Sequence, residues 1–366
     1  YEAAGIDWIT YYDQLNLTIP RSIWTPDIVP AAEFWDIDNW MDVWTLMTGS
    51  AIVTERITIA LTATDALRRP PAVLAQAALS LDHYAKGRFI LTLGAGEAKQ
   101  FAPYGLPRNK PFGHLEESMK IIRLLWESDG PVSYEGPIWS LHNAILGLRP
   151  YEGRTPPLMV AGGPGKALEL AGRLGDGWMV YLPPCGPPEW YAEQVETVRR
   201  HAEKAGRDPE ALFFLTAYTG IVEETEDAVD EACNNLALRW DAAALVPNGN
   251  TGKRIGLRNP LGEDWSYPRD LVPMDWSRED ALRIARLVAP ETVRKLRLAG
   301  TPPQAAAHIQ QYVEAGSNVV LLCNYADLVR TGAWGDELSG TTTCLQVFDL
   351  LRGFNGQPEA AALVNS

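Results

Sequence analysis

The chain has 366 residues, and 46 acidic against 32 basic side chains give it a formal net charge of −14 at pH 7. A pI near 4.9 argues against a protein that binds nucleic-acid phosphates or an anionic membrane surface. No uninterrupted apolar run is long enough to span a membrane, and no export signal opens the chain. We therefore expect a cytoplasmic globular protein whose partner is a small molecule, with no nucleic acid and no integral membrane segment involved.

The predicted elements alternate between strand and helix along the chain. β-Branched and aromatic runs predict strands at 7–12, 57–62, 88–93, 157–161, 177–182, 212–222 and 318–322. Apolar residues at helical spacing predict helices at 72–86, 112–128, 166–174, 188–205, 225–239 and 302–315. Strands that alternate with helices imply right-handed crossovers and a parallel sheet.

Three stretches interrupt this alternation and are predicted as loop insertions, at about 14–45, 130–156 and 241–277. The first is rich in tryptophan, and the third carries Gly, Pro and Asn without a period. Irregular segments of this length in a compact domain are usually lids or binding loops. Neither an internal repeat nor a linker divides the chain, so we expect one domain over residues 1–366.

Seven predicted strands fit either an open, doubly wound sheet or a closed barrel. The run from Gly94 to Lys99 holds only two of the three glycines of the dinucleotide-binding fingerprint, which disfavours the open sheet. We favour a (β/α)8 TIM barrel with its chemistry at the carboxyl ends of the strands. In this interpretation the first strand is missing, and residues before Tyr1 would supply it.

Two features at the predicted strand ends are candidates for binding or catalysis. Gly162-Gly163-Pro164-Gly165 stands directly before a helix, where backbone N–H groups can bind a phosphate, although a tight turn explains the same residues. Glu97 follows a strand inside the expected cleft, where a carboxyl group can donate or accept a proton. The alternative for Glu97 is a surface side chain that caps the next segment.

Other chemistries lack their usual residues. The five histidines show no metal-binding spacing, so we predict no metal site. Neither a Gly-x-Ser-x-Gly elbow nor a Gly-x-x-x-x-Gly-Lys phosphate loop is present. The cysteines form no Cys-x-x-Cys pair and are interpreted as free thiols at Cys185, Cys233, Cys323 and Cys344.

Several motifs resemble the bacterial luciferase-like superfamily. Spread over nearly the whole chain, they lie at Ala72–Asp82, Gly87–Phe89, Gly94–Glu97, Ala161–Pro164, Ala171–Gly177 and Ala299–Pro302. Within the superfamily the sequence is most similar to the branch that uses the deazaflavin coenzyme F420. Three further segments resemble the mycobacterial phthiodiolone ketoreductases of that branch, at Pro20–Ile23, Leu141–Ala144 and Asn259–Gly262.

The resemblance implies a (β/α)8 barrel with the deazaflavin at its carboxyl-terminal mouth and a non-proline cis peptide near Leu61-Thr62-Ala63. It also implies that Glu97 is the catalytic acid or base, and that the protein is a homodimer. Carried over by motif, the cofactor contacts are expected at Asp13, Thr62, Ala63, Thr64, Ala95, Gln100, Gly162, Gly163, Gly165 and Lys166.

Two positions depart from the family pattern. The strand-end Asp13 is usually followed by a histidine that works at the deazaflavin, and here Gln14 stands in its place. A glutamine forms hydrogen bonds but does not titrate near pH 7, so either Glu97 alone moves the proton, or Gln14 only orients a ligand, or the usual chemistry is absent. Relatives that act on sugar phosphates place a lysine where this chain has Tyr181-Leu182-Pro183-Pro184, which disfavours such a substrate.

We therefore predict an F420-dependent oxidoreductase that transfers a hydride between the deazaflavin and the carbonyl or secondary alcohol of an apolar substrate. Glu97 and Gln14 are the predicted catalytic residues. The substrate channel is predicted to be lined by Trp24, Trp44 and Tyr181, although tryptophans also fill ordinary cores. Two alternatives stay open, an FMN-dependent monooxygenase of the same superfamily and a non-catalytic deazaflavin-binding protein.

Overall fold

The computed structural model describes residues 1–182, 186–247, 252, 255–330 and 339–355. Its strands are β1 Trp8–Tyr11, β2 Thr58–Asp65, β3 Phe89–Gly94, β4 Val132–Glu135, β5 Ser140–Ala144, β6 Leu158–Ala161, β7 Gly177–Leu182, β8 Phe213–Val222, β9 Leu298–Gly300 and β10 Val319–Asn324. Its helices are α1 Val43–Val53, α2 Pro71–Ala85, α3 Pro111–Glu127, α4 Lys166–Leu174, α5 Pro188–Lys204, α6 Glu226–Asn234, α7 Leu236–Leu245, α8 Tyr267–Asp270, α9 Arg278–Leu287, α10 Pro290–Leu296, α11 Pro302–Glu314, α12 Ala326–Val329 and α13 Ser339–Asn355.

One curled sheet of parallel strands organises the molecule, as the alternation of elements predicted. Its strand order is β1-β2-β3-β6-β7-β8-β10, and β9 pairs with the last three residues of β8. β4 and β5 form a separate antiparallel hairpin. Among the residues that the structure describes, β1 and β10 share no hydrogen-bonded ladder, and a cavity of about 760 Å³ lies between them beside α13.

Alternate residues of the strands point into the barrel because side chains alternate between the two faces of a sheet. The lower part of this interior is apolar and buried, and it consists of Ala60, Ile90, Met159, Met179, Phe213, Leu215, Ala217 and Leu321. The same alternation, continued toward the carboxyl ends, brings Thr62, Tyr181 and Cys323 to the inward face. Apolar packing therefore fills the lower interior of the barrel, and its mouth is polar.

Residues of the first and third predicted insertions pack together into a second core. This core joins the segment 17–37 to α6, α7, α9 and α10. Trp240 of α7 lies against Trp276 with ring centroids 4.6 Å apart, and its indole N–H donates to the Thr18 carbonyl at 3.2 Å. The insertions are therefore packed substructures that stand on one side of the mouth.

The structure differs from the predicted elements in several places, and the helices α1, α8, α9, α10, α12 and α13 were not predicted. The helix predicted at 225–239 is split into α6 and α7, because the Asn235 side chain accepts from the Ala237 N–H at 2.8 Å and starts a new helix. The second predicted insertion contains the hairpin of β4 and β5. The strand β9 has only three residues and was not predicted.

Candidate active site

Tyrosine and cysteine side chains meet at the barrel mouth, at or just beyond the ends of β1, β7 and β10. The side chains of Tyr12, Tyr181 and Cys323 lie close enough together to influence one another's ionisation. Burial raises the pKa of both tyrosines and raises that of the Cys323 thiol to about 11. These groups are neutral near pH 7 and line the mouth with hydroxyl and thiol groups that can form hydrogen bonds. Tyr181, a predicted substrate residue, is 38% exposed at this mouth.

Glu97 follows β3, and two neighbours hold its carboxylate. Lys99 Nζ lies 3.1 Å from Glu97 Oε2, and the Tyr267 hydroxyl lies close enough to the same carboxylate to interact with it electrostatically. Burial lowers the pKa of the Lys99 ammonium while Glu97 opposes that shift, and burial together with Glu97 raises the pKa of Tyr267. The Glu97 side chain is 34% exposed, whereas Lys99 is fully buried. A carboxylate held on one side and open on the other can exchange a proton with a molecule in the cleft.

Lys99 and Gln100 fasten the loop after β1 to the loop after β3. Lys99 Nζ donates to Gln14 Oε1 at 3.0 Å and to the Asn16 carbonyl at 3.1 Å. Gln100 Nε2 donates to the Asn16 carbonyl at 3.0 Å, and Gln100 Oε1 accepts from the Leu15 N–H at 2.7 Å. Gln100 is predicted to contact the cofactor, but both of its side-chain polar atoms form hydrogen bonds with the backbone of the loop after β1. Gln14, predicted to be catalytic, lies at the mouth beside Glu97 through their shared contact with Lys99.

Asp13 is buried at the end of β1 and is held by three side chains. Thr64 Oγ1 donates to Asp13 Oδ2 at 2.6 Å, Arg68 Nη2 lies 3.2 Å from the same oxygen, and Arg69 is ion-paired with it. Asp13 is 7% exposed, so this carboxylate has little surface left for a ligand. Contact of Asp13 or Thr64 with a cofactor stays a prediction, and the structure itself gives both a part in fixing the strand end.

A cis peptide bond joins Thr62 to Ala63, as the resemblance implied. The pairing of β2 with β3 shifts register at this point, between Leu61 and Thr64. Thr62 Oγ1 is buried and has no hydrogen-bond partner among the described residues, and the same holds for Thr92 Oγ1 on the neighbouring strand. Buried hydroxyls normally have partners, so these two are groups that a bound ligand can satisfy.

In the glycine turn after β6, only some of the backbone N–H groups have a hydrogen-bond acceptor among the described residues. The Gly162 N–H already donates to the Met179 carbonyl at 3.1 Å, within the sheet. No carbonyl among the described residues accepts from the N–H of Gly163 or Gly165, and a Cβ added at either would meet no atom within 4 Å. Gly165 precedes α4 with φ of +95°, a conformation that favours glycine. Gly163 and Gly165 therefore remain candidates for a phosphate, and Gly162 has no free N–H to offer.

Two further predicted cofactor residues lie near these groups. Lys166 begins α4, and its Nζ is ion-paired with Glu116 at 3.3 Å and with Glu169 at 3.0 Å. The carboxylates of Glu116 and Glu169 therefore compete with any bound phosphate for the positive charge of Lys166. Ala95 is half-buried between β3 and Glu97, on the loop that carries the candidate acid.

The structure places the two predicted tryptophans in different surroundings. Trp24 is 7% exposed in the second core, where its ring lies 5.3 Å from Trp35 and its indole N–H donates to the Trp35 carbonyl. Trp44 lies on α1, with its ring 6.1 Å from that of Phe89 and 5.9 Å from the guanidinium of Arg69, which pairs with Asp13. Core packing, the alternative given by the sequence, accounts for Trp24, and a part for Trp44 in the substrate channel stays a prediction.

Three residues of the mouth were missed from the sequence. Lys99 stands two positions after Glu97, but a lysine is rarely fully buried, so nothing in the sequence indicated its contacts. Tyr267 belongs to the third insertion, more than a hundred residues away from Glu97. Tyr12 could have been found, since it continues the inward alternation of β1 by one step.

The described part of the chain has neither a metal-binding cluster nor a membrane-spanning helix. It contains no group of three or more His, Cys, Asp or Glu side chains that could hold a metal ion. None of its helices has the length and apolar character that spanning a bilayer requires. Cys233, Cys323 and Cys344 are free thiols, and Cys185 lies outside the described residues.

Comparisons with known proteins agree with this geometry. The family model described as luciferase-like monooxygenase matches residues 22–318. The phthiodiolone/phenolphthiodiolone dimycocerosates ketoreductase of Mycobacterium bovis is 34% identical over 324 residues, which cover 87% of this chain and 84% of that protein. An F420-dependent secondary alcohol dehydrogenase solved with an F420-acetone adduct superposes with a TM-score of 0.71 at 23% identity, over 96% of this chain and 92% of its own.

A third relative extends the comparison to a flavin protein. A riboflavin lyase solved with modified FMN and riboflavin superposes with a TM-score of 0.69 at 18% identity, over 100% of this chain and 86% of its own. The resemblance and the barrel fold expected from the sequence are thereby confirmed.

Proposed function

The chain belongs to the luciferase-like monooxygenase family, and on that basis we propose that it is an oxidoreductase dependent on coenzyme F420. It transfers a hydride between the deazaflavin and the carbonyl or secondary alcohol of an apolar substrate. Two relatives support this assignment, because one is named a ketoreductase and another is a secondary alcohol dehydrogenase solved with an F420-acetone adduct.

The groups at the mouth fit such a coenzyme. The N–H groups of Gly163 and Gly165 are open at the start of α4, where the helix N-terminus favours a phosphate. Thr62 and Thr92 offer buried hydroxyls without partners beneath the same mouth. When bound, the deazaflavin supplies or accepts the hydride, and the protein supplies orientation and proton transfer.

The observation that carries the proposal is the setting of Glu97. Its carboxylate is ion-paired with the buried Lys99, lies near the Tyr267 hydroxyl, and keeps 34% of its side chain exposed. Reduction of a ketone needs a proton at the carbonyl oxygen, and oxidation of an alcohol needs the same proton removed. Glu97 exchanges that proton with the substrate oxygen, a contribution worth about 10²–10⁴-fold in rate.

The proposed substrate is apolar because aromatic side chains surround the Glu97 carboxylate. Tyr12, Tyr181 and Tyr325 are neutral near pH 7, since burial raises the pKa of each, and they present ring faces as well as hydroxyls.

A homodimer stays a prediction from the family resemblance, to be checked by sedimentation equilibrium.

The alternative cofactor is FMN, favoured by the structural likeness to the riboflavin lyase. Both cofactors place a flat tricyclic ring and a phosphate in the site, so the same open glycines serve either. The two hypotheses separate in their chemistry, because a reduced-flavin monooxygenase consumes oxygen and a deazaflavin oxidoreductase does not.

The test compares the two cofactors on the purified protein. We expect the fluorescence of F420 to be quenched when the protein is added, and we expect FMN to bind more weakly than F420. Ketones of increasing chain length should be reduced without oxygen uptake. Glu97→Gln should lower kcat/KM by about 10²–10⁴-fold with the Kd for F420 unchanged. Glu203→Gln, at an exposed glutamate of α5, is the matched control and should behave as the unmodified protein.

Other results would reject the proposal. Binding of FMN with oxygen consumption, and no quenching of F420, would assign the monooxygenase chemistry instead. Tight F420 binding without turnover of any ketone or alcohol, unchanged by Glu97→Gln, would leave a deazaflavin-binding protein.

A further inference from the structure

The ammonium group of Lys99 is enclosed on all sides at the mouth. It is fully buried, and its Nζ has three acceptors: Gln14 Oε1 at 3.0 Å, the Asn16 carbonyl at 3.1 Å and Glu97 Oε2 at 3.1 Å. A lysine ammonium has three N–H donors and no acceptor, so these contacts use its full capacity. Lys99 therefore does not touch a ligand and can act only through the groups that it binds.

This contact determines how Gln14 is oriented. The oxygen and nitrogen of a glutamine amide are ordinarily hard to tell apart, but an ammonium group only donates and so requires the oxygen. Gln14 must turn Oε1 toward Lys99 and its NH2 group away from it. Among the described residues, no group accepts a hydrogen bond from Gln14 Nε2, and the side chain is only half-buried.

We propose that Lys99 is a positioning residue that converts Gln14 into a fixed hydrogen-bond donor for the oxygen atom of the substrate. The inference rests on the proposed function and deepens it by naming the residues that orient the substrate oxygen. Gln14 offers two N–H groups and has its amide oxygen turned toward Lys99, so the site favours a group that accepts, such as a ketone or alkoxide oxygen. Glu97 exchanges the proton with that oxygen, and Gln14 stabilises the negative charge that develops on it.

This arrangement also explains how the site works without the histidine of its relatives. A neutral glutamine donor does not change charge near pH 7, so the proton exchange falls to Glu97 alone. Position 14 should then contribute no ionisation to the pH dependence of kcat/KM. In Gln14→His the imidazole adds a second ionisation with a pKa near neutrality.

The decisive variant is Gln14→Glu. A carboxylate at this position keeps the contact with Lys99 and the volume of the side chain, but it has no N–H to give to the substrate. We expect kcat for a ketone to fall by about 10²–10³-fold with the Kd for F420 unchanged. Lys99→Met should also lower kcat, because Gln14 is then free to rotate, and Lys295→Met at an exposed lysine of α10 is the control.

A measurement without coenzyme gives an independent readout. With glutamine labelled by ¹⁵N, the side-chain NH2 signals of Gln14 are those lost in Gln14→Glu. We expect a saturating secondary alcohol to shift these signals in the apoprotein and not in Lys99→Met.

The outcomes separate this inference from the proposed function. If the unmodified protein neither quenches the fluorescence of F420 nor turns over ketones, both the proposed function and the inference on Gln14 fail. If it does both and Gln14→Glu retains its kcat, or if that variant only weakens F420 binding, the inference on Gln14 is overturned and the proposed function stands.

Discussion

Two buried cations lie close to the barrel mouth, Lys99 and Arg297, and they differ in the partners that neutralise them. Arg297, between α10 and β9, is 5% exposed and pairs with Asp241, which is 1% exposed. Lys99 is as deeply buried, but its partner Glu97 keeps 34% of its side chain exposed. A charge pair enclosed on both sides fixes the fold, and a pair with one exposed carboxylate leaves that carboxylate available for chemistry.

The surroundings of Arg297 are consistent with a structural role. Its guanidinium donates to Thr219 Oγ1 on β8, and Asp241 on α7 accepts from Thr18 Oγ1 at 2.5 Å. The pair thus ties the barrel to the second core. Burial lowers the pKa of Arg297 to about 10, so the group stays charged at neutral pH and needs its carboxylate.

The largest predicted effect comes from breaking this enclosed pair. Asp241→Asn leaves a buried guanidinium without its counter-charge, and we expect the free energy of unfolding to fall by about 3–5 kcal/mol. Urea denaturation followed by tryptophan fluorescence measures the loss. Asp275→Asn, at an exposed aspartate, is the control. A loss below about 1 kcal/mol would mean that water or relaxation compensates the arginine, and the comparison of the two pairs would fail.

A buried carboxylate without a cation sharpens the comparison. Asp82 on α2 is 1% exposed, and its Oδ1 accepts from the Phe89 N–H at 3.3 Å. No salt-bridge partner is found for it among the described residues. Burial therefore raises the pKa of Asp82 to about 6 from an ordinary value of 3.8. The folded state holds this proton more tightly than the unfolded state does.

The sign of the pH effect follows from that difference. The contribution of Asp82 to stability is fully present below pH 3.8 and is lost as the pH rises through 6. Asp82→Asn mimics the protonated form, so at pH 8 it should stabilise the protein by about 2–3 kcal/mol, and the gain should shrink as the pH falls toward 4. Thermal unfolding at several pH values tests this, with Asp129→Asn at a fully exposed aspartate as the control. A gain that is equal at pH 5 and pH 8 would contradict the assignment.

The sequence predicted the repeating part of the fold well because local patterns determine it. The helix at 166–174 and the strand at 177–182 were predicted with their observed bounds, since each has a clear period and glycines at its ends. The break between α6 and α7 was missed because it depends on one side chain, Asn235, that caps a new helix. The strand β9 is too short to carry a period.

The candidate site was predictable only where a motif carried it. Glu97 and the glycine turn were found from their places at predicted strand ends and again by resemblance, and the cis bond at Thr62 was expected from the resemblance alone. The contacts of Lys99 were beyond reach, because its partners Gln14 and Asn16 lie more than eighty residues earlier in the chain. The tryptophan-rich composition of the segment around Trp24 favoured a substrate channel, although an aromatic-rich segment fits a core as well as a channel.

The smallest predicted effect is on the stability of the open pair. Glu97→Gln keeps an oxygen that can accept from Lys99, and Gln14 Oε1 and the Asn16 carbonyl still accept from the same ammonium group. We therefore expect the free energy of unfolding to change by about 1 kcal/mol or less, in the same urea assay in which Asp241→Asn is measured. This small change should accompany the large loss of kcat/KM expected for the same variant, which would separate its role in chemistry from any role in folding. If Glu97→Gln instead destabilised the protein as strongly as Asp241→Asn, Glu97 would be a structural counter-charge to Lys99, and its loss of activity would no longer identify it as the group that exchanges the proton.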